Sequence, residues 1–142
     1  SEFDSLVIDS IQSDSLVSEG LEKLSGLFFY EAIKTNPLNG TAWFNYSVFL
    51  NQEGKLDSAL FAFLMTACLQ PGDSEAWCNS LILAYSINRL DIFSIIYGAA
   101  QKNIGNNFLN HFSQSILDQP SLSLEEKQEL IKAITQNESR TL

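Results

Sequence analysis

Apolar positions along this chain recur at three- and four-residue intervals, and they predict helices almost throughout. In 41–53 the residues Trp43, Phe44, Tyr46, Val48, Phe49 and Leu50 wrap most of a helix. Gly54-Lys55 reads as a turn, and Leu56, Ala59, Leu60, Phe63, Leu64, Ala67 and Cys68 then form a second stripe at i, i+3, i+4 spacing. Pro71-Gly72-Asp73-Ser74 stops that helix and caps the next. Further on, Phe108, Leu109, Phe112, Ile116 and Leu117 make a helical pattern over 106–118, which Pro120 ends. Ser123-Leu124-Glu125-Glu126 is a capping-box signature opening a last helix, with Leu130, Ile131 and Ile134 on one side and a frayed end expected after about Asn137.

The helical pattern repeats. When the sequence is laid over itself with Trp43 on Trp77, Pro37 falls on Pro71, Asn45 on Asn79, and Leu56-Asp57 on Leu90-Asp91. Gly20 falls on Gly54 and then on Asn88, another residue that tolerates the left-handed turn conformation. Phe29 falls on Phe63 and then on Tyr97. Tryptophan and proline are rare in this chain, so coincidence at one spacing carries weight. A helix pair this short cannot bury both faces alone and must stack on copies of itself.

The spacing and the residues Trp43, Tyr46, Ser47, Leu50, Gly54, Ala59, Phe63 and Pro71 resemble the tetratricopeptide repeat, whose period is 34 and whose pattern runs W-x2-L-G-x2-Y, A-x3-F, P. The next unit keeps Trp77, Tyr97 and Ala100 but carries Leu81 and Phe93 where small residues are usual, which adds bulk where helices approach closely. The first unit keeps Gly20, Ser25, Phe29, Ala32 and Pro37, with Asp9 in place of the tryptophan. The resemblance implies an all-α fold, an α-solenoid of about three helix pairs with C-terminal capping helices. Its expected boundaries are a degenerate first repeat at 4–39, repeats at 40–73 and 74–107, and capping helices and tail at 108–142. Residues 1–3 read as a cloning-site remnant, which suggests a domain excised from a larger protein.

In that family the first helix of each repeat lines a concave groove that holds extended peptides or partner helices. The matching positions are Thr41, Phe44, Asn45, Val48 and Asn51 from one unit and Glu75, Cys78, Asn79, Ile82 and Tyr85 from the next. Some members grip acidic chaperone tails with a Lys, Asn and Arg clamp. The corresponding Ser10, Asp14, Asn45, Glu75 and Asn79 retain only the asparagine at 45, so acidic-tail binding is disfavoured. Asn45 and Asn79 resemble an asparagine ladder, able to donate to and accept from a ligand's backbone irrespective of its sequence; solvated surface amides are the plainer alternative. The expected ligand is a neutral-to-basic peptide or helix with apolar side chains. Phe93, Phe108 and Phe112 read as core, with a homodimer contact or docking of the rest of a longer protein as their alternative role.

Composition narrows the function further. Net charge is −9 and pI about 4.4, and the 8 basic residues are scattered. Nucleic-acid binding needs clustered Lys and Arg, so nucleic acid and anionic membrane are poor partners. Positions 1–22 hold Glu2, Asp4, Asp9, Asp14, Glu19 and Glu22 with no Lys or Arg, either a patch for a basic partner or a solvated helix face. No apolar run approaches the ~18 residues of a membrane span, and no signal peptide is visible. Cys68 and Cys78 read as thiols in a reducing, cytoplasmic compartment.

Candidate chemistry is thin. His111 is the only histidine and reads as a packed helical position, so histidine-rich metal sites are excluded. No glycine-rich phosphate loop occurs, and the carboxylate pair Glu125-Glu126 sits in a capping turn. No catalytic residue, cofactor or metal is expected. A protein-interaction module within a scaffold or adaptor is the leading expectation; a stand-alone helical chaperone of the secretion type, built on similar repeats, is the alternative.

Overall fold

The structure is a computed structural model that describes the backbone of residues 2–141 and the side chains of 16–136. Within these bounds the chain is all-helical: α1 Glu2–Thr35, α2 Gly40–Gln52, α3 Leu56–Leu69, α4 Ser74–Ser86, α5 Leu90–Ile104, α6 Phe108–Asp118 and α7 Leu124–Thr141. The starts of α2, α4 and α6, at Gly40, Ser74 and Phe108, follow the repeat register. So do those of α3, α5 and α7, at Leu56, Leu90 and Leu124. Each helix from α1 to α7 packs on the next, and α4 also packs on α6.

Local chemistry explains where these helices begin and end. Asn39 caps α2 by accepting from the Ala42 N–H at 3.2 Å, and Asp73 caps α4 by accepting from the N–H groups of Glu75 and Ala76. The Ser123 capping box forms in both directions: Glu126 N–H donates to Ser123 Oγ, and Ser123 N–H donates to Glu126 Oε1, each at 3.1 Å. Gly54 ends α2 with φ +77°, where Gly54 N–H donates to Asn51 O and Lys55 N–H to Leu50 O. Asn88 ends α4 with φ +60° and the same pair of bonds, from Asn88 N–H to Tyr85 O and from Arg89 N–H to Ala84 O. Both are Schellman turns, and asparagine stands in at the second for the glycine that meets no Cβ penalty there.

The tryptophan–proline pairing recurs as well. Trp43 Nε1 donates to Pro37 O at 2.8 Å, and Trp77 Nε1 donates to Pro71 O at 2.9 Å. Each indole thereby pins the first turn of its helix to the end of the preceding one. His111 occupies the third position of this series and is exposed, not packed. Its counterpart to Pro71 is Gly105, and the inward positions of α6 are taken by Phe108, Phe112 and Ile116.

The first unit departs from expectation. The turn that the repeat register places at Gly20 is not made, and α1 continues through it as one helix. A glycine permits a left-handed turn without compelling one, and keeping it within a helix costs only about 1 kcal/mol relative to alanine. At the other end the backbone of α7 runs to Thr141, and the fraying expected after about Asn137 falls on residues whose side chains lie outside the described ones.

The core runs from α2 to α7. Small residues at closest approach, Ala59, Ala62, Ala67, Ala76, Ala84 and Ala100, are essentially inaccessible and let the backbones come together. Leu81 and Phe93, bulky where the repeat pattern has small residues, are absorbed into this core. At its C-terminal end Phe93, Tyr97, Phe108 and Phe112 form a contiguous ring cluster with centroid separations of 5.6 to 6.3 Å. Phe93, Phe108 and Phe112 are therefore interior groups, and the alternative of a homodimer contact built from them does not hold. α1 stands outside this core. It meets α2 through Gly26, through Phe29, whose ring lies 6.1 Å from that of Phe49, and through Tyr30, 6.3 Å from Tyr46.

Candidate binding trough

The helices α2 and α4 flank a cavity of about 280 Å³. Phe44, Val48 and Asn51 line it from α2, and Glu75, Asn79 and Ile82 from α4. These positions meet because residues three and four apart share one side of a helix, and the two helices present equivalent sides. A shallower depression of about 200 Å³ continues past Thr41, Phe44 and Glu75. On the other side of α2, Asn45 and Val48 line a cavity of about 420 Å³ against Ser25 and Phe29 of α1. Val48 and Gln52 line both the 420 Å³ and the 280 Å³ cavity, so the three lie side by side across α2 and together make up the candidate trough.

Two of the expected groove residues lie elsewhere. Cys78 is buried and hydrogen-bonded to Ser115 of α6. Burial is the main cause that pushes its thiol above the ordinary range, with Glu75 and Asp73 adding to it and the Ser115 bond working against it. Tyr85 donates its hydroxyl to Glu129 Oε2 of α7 at 3.1 Å; partial burial and the neighbouring carboxylate both raise its pKa. Both side chains serve the packing of α4 on α6 and α7. Ile82 lines the trough but is largely buried, so it forms floor rather than wall. Asn45 lines the cavity on the α1 side of α2 and Asn79 the one between α2 and α4, and Val48 and Gln52 line both.

The structure adds residues that spacing does not reveal. Gln119 and Ser121, from the connection between α6 and α7, close one end of the α2–α4 cavity. They hydrogen-bond to each other, Gln119 Nε2 donating to Ser121 Oγ at 2.8 Å. No repeat register points to a loop that returns from a later helix pair, though the polar Gln-Pro-Ser run is a turn signal.

The electrostatics of the trough are one-sided. Glu22, Glu53, Asp73 and Glu75 are among its described lining residues, and no Lys, Arg or His is. An adjoining cavity of about 640 Å³, between α1 and the α2–α3 turn, shares Glu22, Phe49 and Glu53 with the 420 Å³ one and carries both signs: Glu19, Glu22 and Glu53 with Lys23 and Lys55. Among the described residues no three His, Cys, Asp or Glu side chains converge to hold a metal ion, and no helix is long and apolar enough to cross a membrane.

The two thiols differ in kind. Cys68 is exposed on α3, whereas Cys78 is enclosed. A thiol reagent at pH 8 is expected to modify one cysteine per native chain quickly and the second only after unfolding, because the thiolate is the reactive form and Cys78 is both shielded and held protonated. Equal modification rates for both in the native protein would contradict the packing of α4 on α6.

Comparison of the chain with protein-family models gave no match, and comparison with curated proteins gave none.

Proposed function

We propose that the chain is a protein-binding module, a tetratricopeptide-like α-solenoid that holds a neutral-to-basic, partly apolar peptide segment in the trough across α2 and performs no chemistry of its own. Three helix pairs, α2/α3, α4/α5 and α6/α7, recur in one register, and the Schellman turns and the Trp–Pro bonds repeat with it in the first two. This regularity supports the solenoid reading, with α1 as an additional leading helix. A module of a larger scaffold or adaptor fits a surface that offers binding but no reactive constellation. Two free thiols agree with a reducing, cytoplasmic setting.

The observation that carries the ligand class is the lining of the trough. Phe44, Val48 and Ile82 offer apolar surface, and Asn45, Asn51, Gln52 and Asn79 offer amides that can both donate to and accept from a peptide backbone. The charges lining its three cavities are all acidic, and Lys23 and Lys55 stand in the adjoining one. Lysine-bearing peptides are therefore attracted, and carboxylate tails are repelled.

Titration of fluorescent peptides with equal apolar content and opposite charge tests this. The basic peptide is expected to bind more tightly, and Glu75→Lys is expected to weaken it about 5-fold, as for loss of a partly exposed ion pair with sign reversal. Asn79→Ala removes a backbone contact and is expected to cost a similar factor. Equal affinity for both peptides, unmoved by either substitution, sinks the reading.

A further inference from the structure

A second surface, on α1, is independent of the trough. Leu16, Val17, Leu21, Leu24, Leu27 and Phe28 are between 46% and 68% exposed, although all six are large and apolar. Val17, Leu21, Leu24 and Phe28 fall on one line along the helix, at successive steps of four, three and four. Leu16 and Leu27 flank that line on one side. Gly26, Phe29 and Tyr30, by which α1 meets α2, and the buried Ile33 lie on the opposite side of the helix. The stripe therefore faces away from the body of the protein. Scattered exposed leucines need no explanation, but a contiguous apolar line on a single helix marks a surface that something covers.

We propose that a second copy of this chain covers it, the two α1 helices packing antiparallel about a two-fold axis between Leu21 and Leu24. The spacing four, three, four reads the same in both directions. Reversing a second copy over the first thus sets Val17 against Phe28 and Leu21 against Leu24, twice over. That is the self-complementarity an isologous two-fold interface requires. The same reversal brings Leu16 of each copy beside Leu27 of the other.

Charge selects this direction over the parallel one. Along α1, residues 2–22 hold six acids and no Lys or Arg, while 23–35 hold Lys23, Glu31 and Lys34. Parallel helices would lay acidic stretch on acidic stretch, which like-charge repulsion disfavours. Antiparallel helices lay the acidic stretch along the one that carries both lysines. Steps of three and four between apolar positions are also those by which paired helices interlock side chains.

Sedimentation equilibrium of the whole chain tests the proposal. At about 100 µM, where an interface of micromolar affinity is fully formed, the mass is expected to be twice the 15.8 kDa of one chain. Leu21→Glu with Leu24→Glu is expected to return the mass to that of one chain, with the helical circular dichroism retained. A monomeric parent, as expected if the stripe is covered by the chain's own fold-back or by a different protein, overturns the proposal. So does a dimer that survives the double substitution.

Direction is tested in a Cys68→Ser background, which removes the exposed thiol. Val17→Cys and Phe28→Cys chains, mixed and mildly oxidised, are expected to cross-link to each other. Neither is expected to cross-link alone, because in the antiparallel pair identical positions stand about three helical turns, roughly 16 Å, apart along the helices, beyond disulfide reach. Cross-linking of either variant alone, or none in the mixture, overturns the antiparallel arrangement. None of these substitutions touches a residue lining the trough, so failure here leaves the peptide-binding reading standing.

Discussion

Phe112→Ala is expected to destabilise the protein by about 4 kcal/mol, within the usual range for removing a buried phenylalanine. The ring is fully buried and meets three others: Phe108 stacked at 5.8 Å, Phe93 at 6.2 Å and Tyr97 at 6.3 Å. Truncation to alanine loses the transfer free energy of the ring and leaves a cavity. Phe93 and Tyr97 from α5 and Phe108 from α6 cannot close it without moving the helices. A loss of this size is a large fraction of the roughly 5–15 kcal/mol that stabilises an ordinary domain. It should lower the urea midpoint by about 2 M, given a slope of roughly 2 kcal/mol per molar. Leu117→Ala is the internal control: it lies on the same helix but is half-exposed, and its effect should stay within about 0.5 kcal/mol. Equal midpoint shifts for the two variants would show that the ring cluster is not the interior of the C-terminal half.

That cluster also marks the border of what the sequence makes legible. Features set by local chemistry are readable from the residues themselves: the glycine and asparagine turns at 54 and 88, the proline stops, the capping box at Ser123. Each depends on residues a few positions apart, and each is present. The second helix pair and its boundaries follow from the same signals. Features set by packing between helices are not readable in this way. The turn expected at Gly20 is not made, because a glycine permits the left-handed turn but does not compel it. The register of α6 and α7 matches that of the earlier pairs, yet the motif residues have gone; phenylalanines and isoleucines fill the interior in their place. His111 inherits the tryptophan position without the tryptophan's packing.

The trough is legible by the same measure. Helical spacing along α2 and α4 brings Phe44, Val48, Glu75 and Asn79 to one cavity. It cannot say which neighbouring helix a residue will meet. Cys78 and Tyr85 share the expected side of α4, but that side is broad enough to touch α6 and α7 at its edge, and the later helices claim both residues. Asn45 is claimed in the same way by the α1 side of α2. Gln119 and Ser121 arrive from a distant turn, which no single-helix pattern encodes.

Exchanging the residues at one repeat position measures this gap between register and packing. Ala59 and Phe93 stand one repeat apart, at the same place in successive helix pairs, and both are buried. If register alone set their environment, Phe93→Ala would bring the second pair closer to the repeat pattern and relieve crowding. The packing predicts the opposite. Phe93 touches Phe112 across the α5–α6 boundary, so alanine there opens a cavity between two helices at a cost of about 3 to 5 kcal/mol. Ala59 has no accessible surface where α3 packs on its neighbours, and phenylalanine would force them apart at a cost of about 3 kcal/mol, the upper end for overpacking. The two sites lie in different helix pairs, Phe93 against Phe112 of α6 and Ala59 enclosed on α3, so the costs should add and not compensate in the double variant. Denaturant midpoints of the two single variants and the double decide the matter. A stabilised Phe93→Ala chain, or a double variant more stable than either single one, would mean that the repeat pattern outweighs the neighbours in deciding what each position accepts.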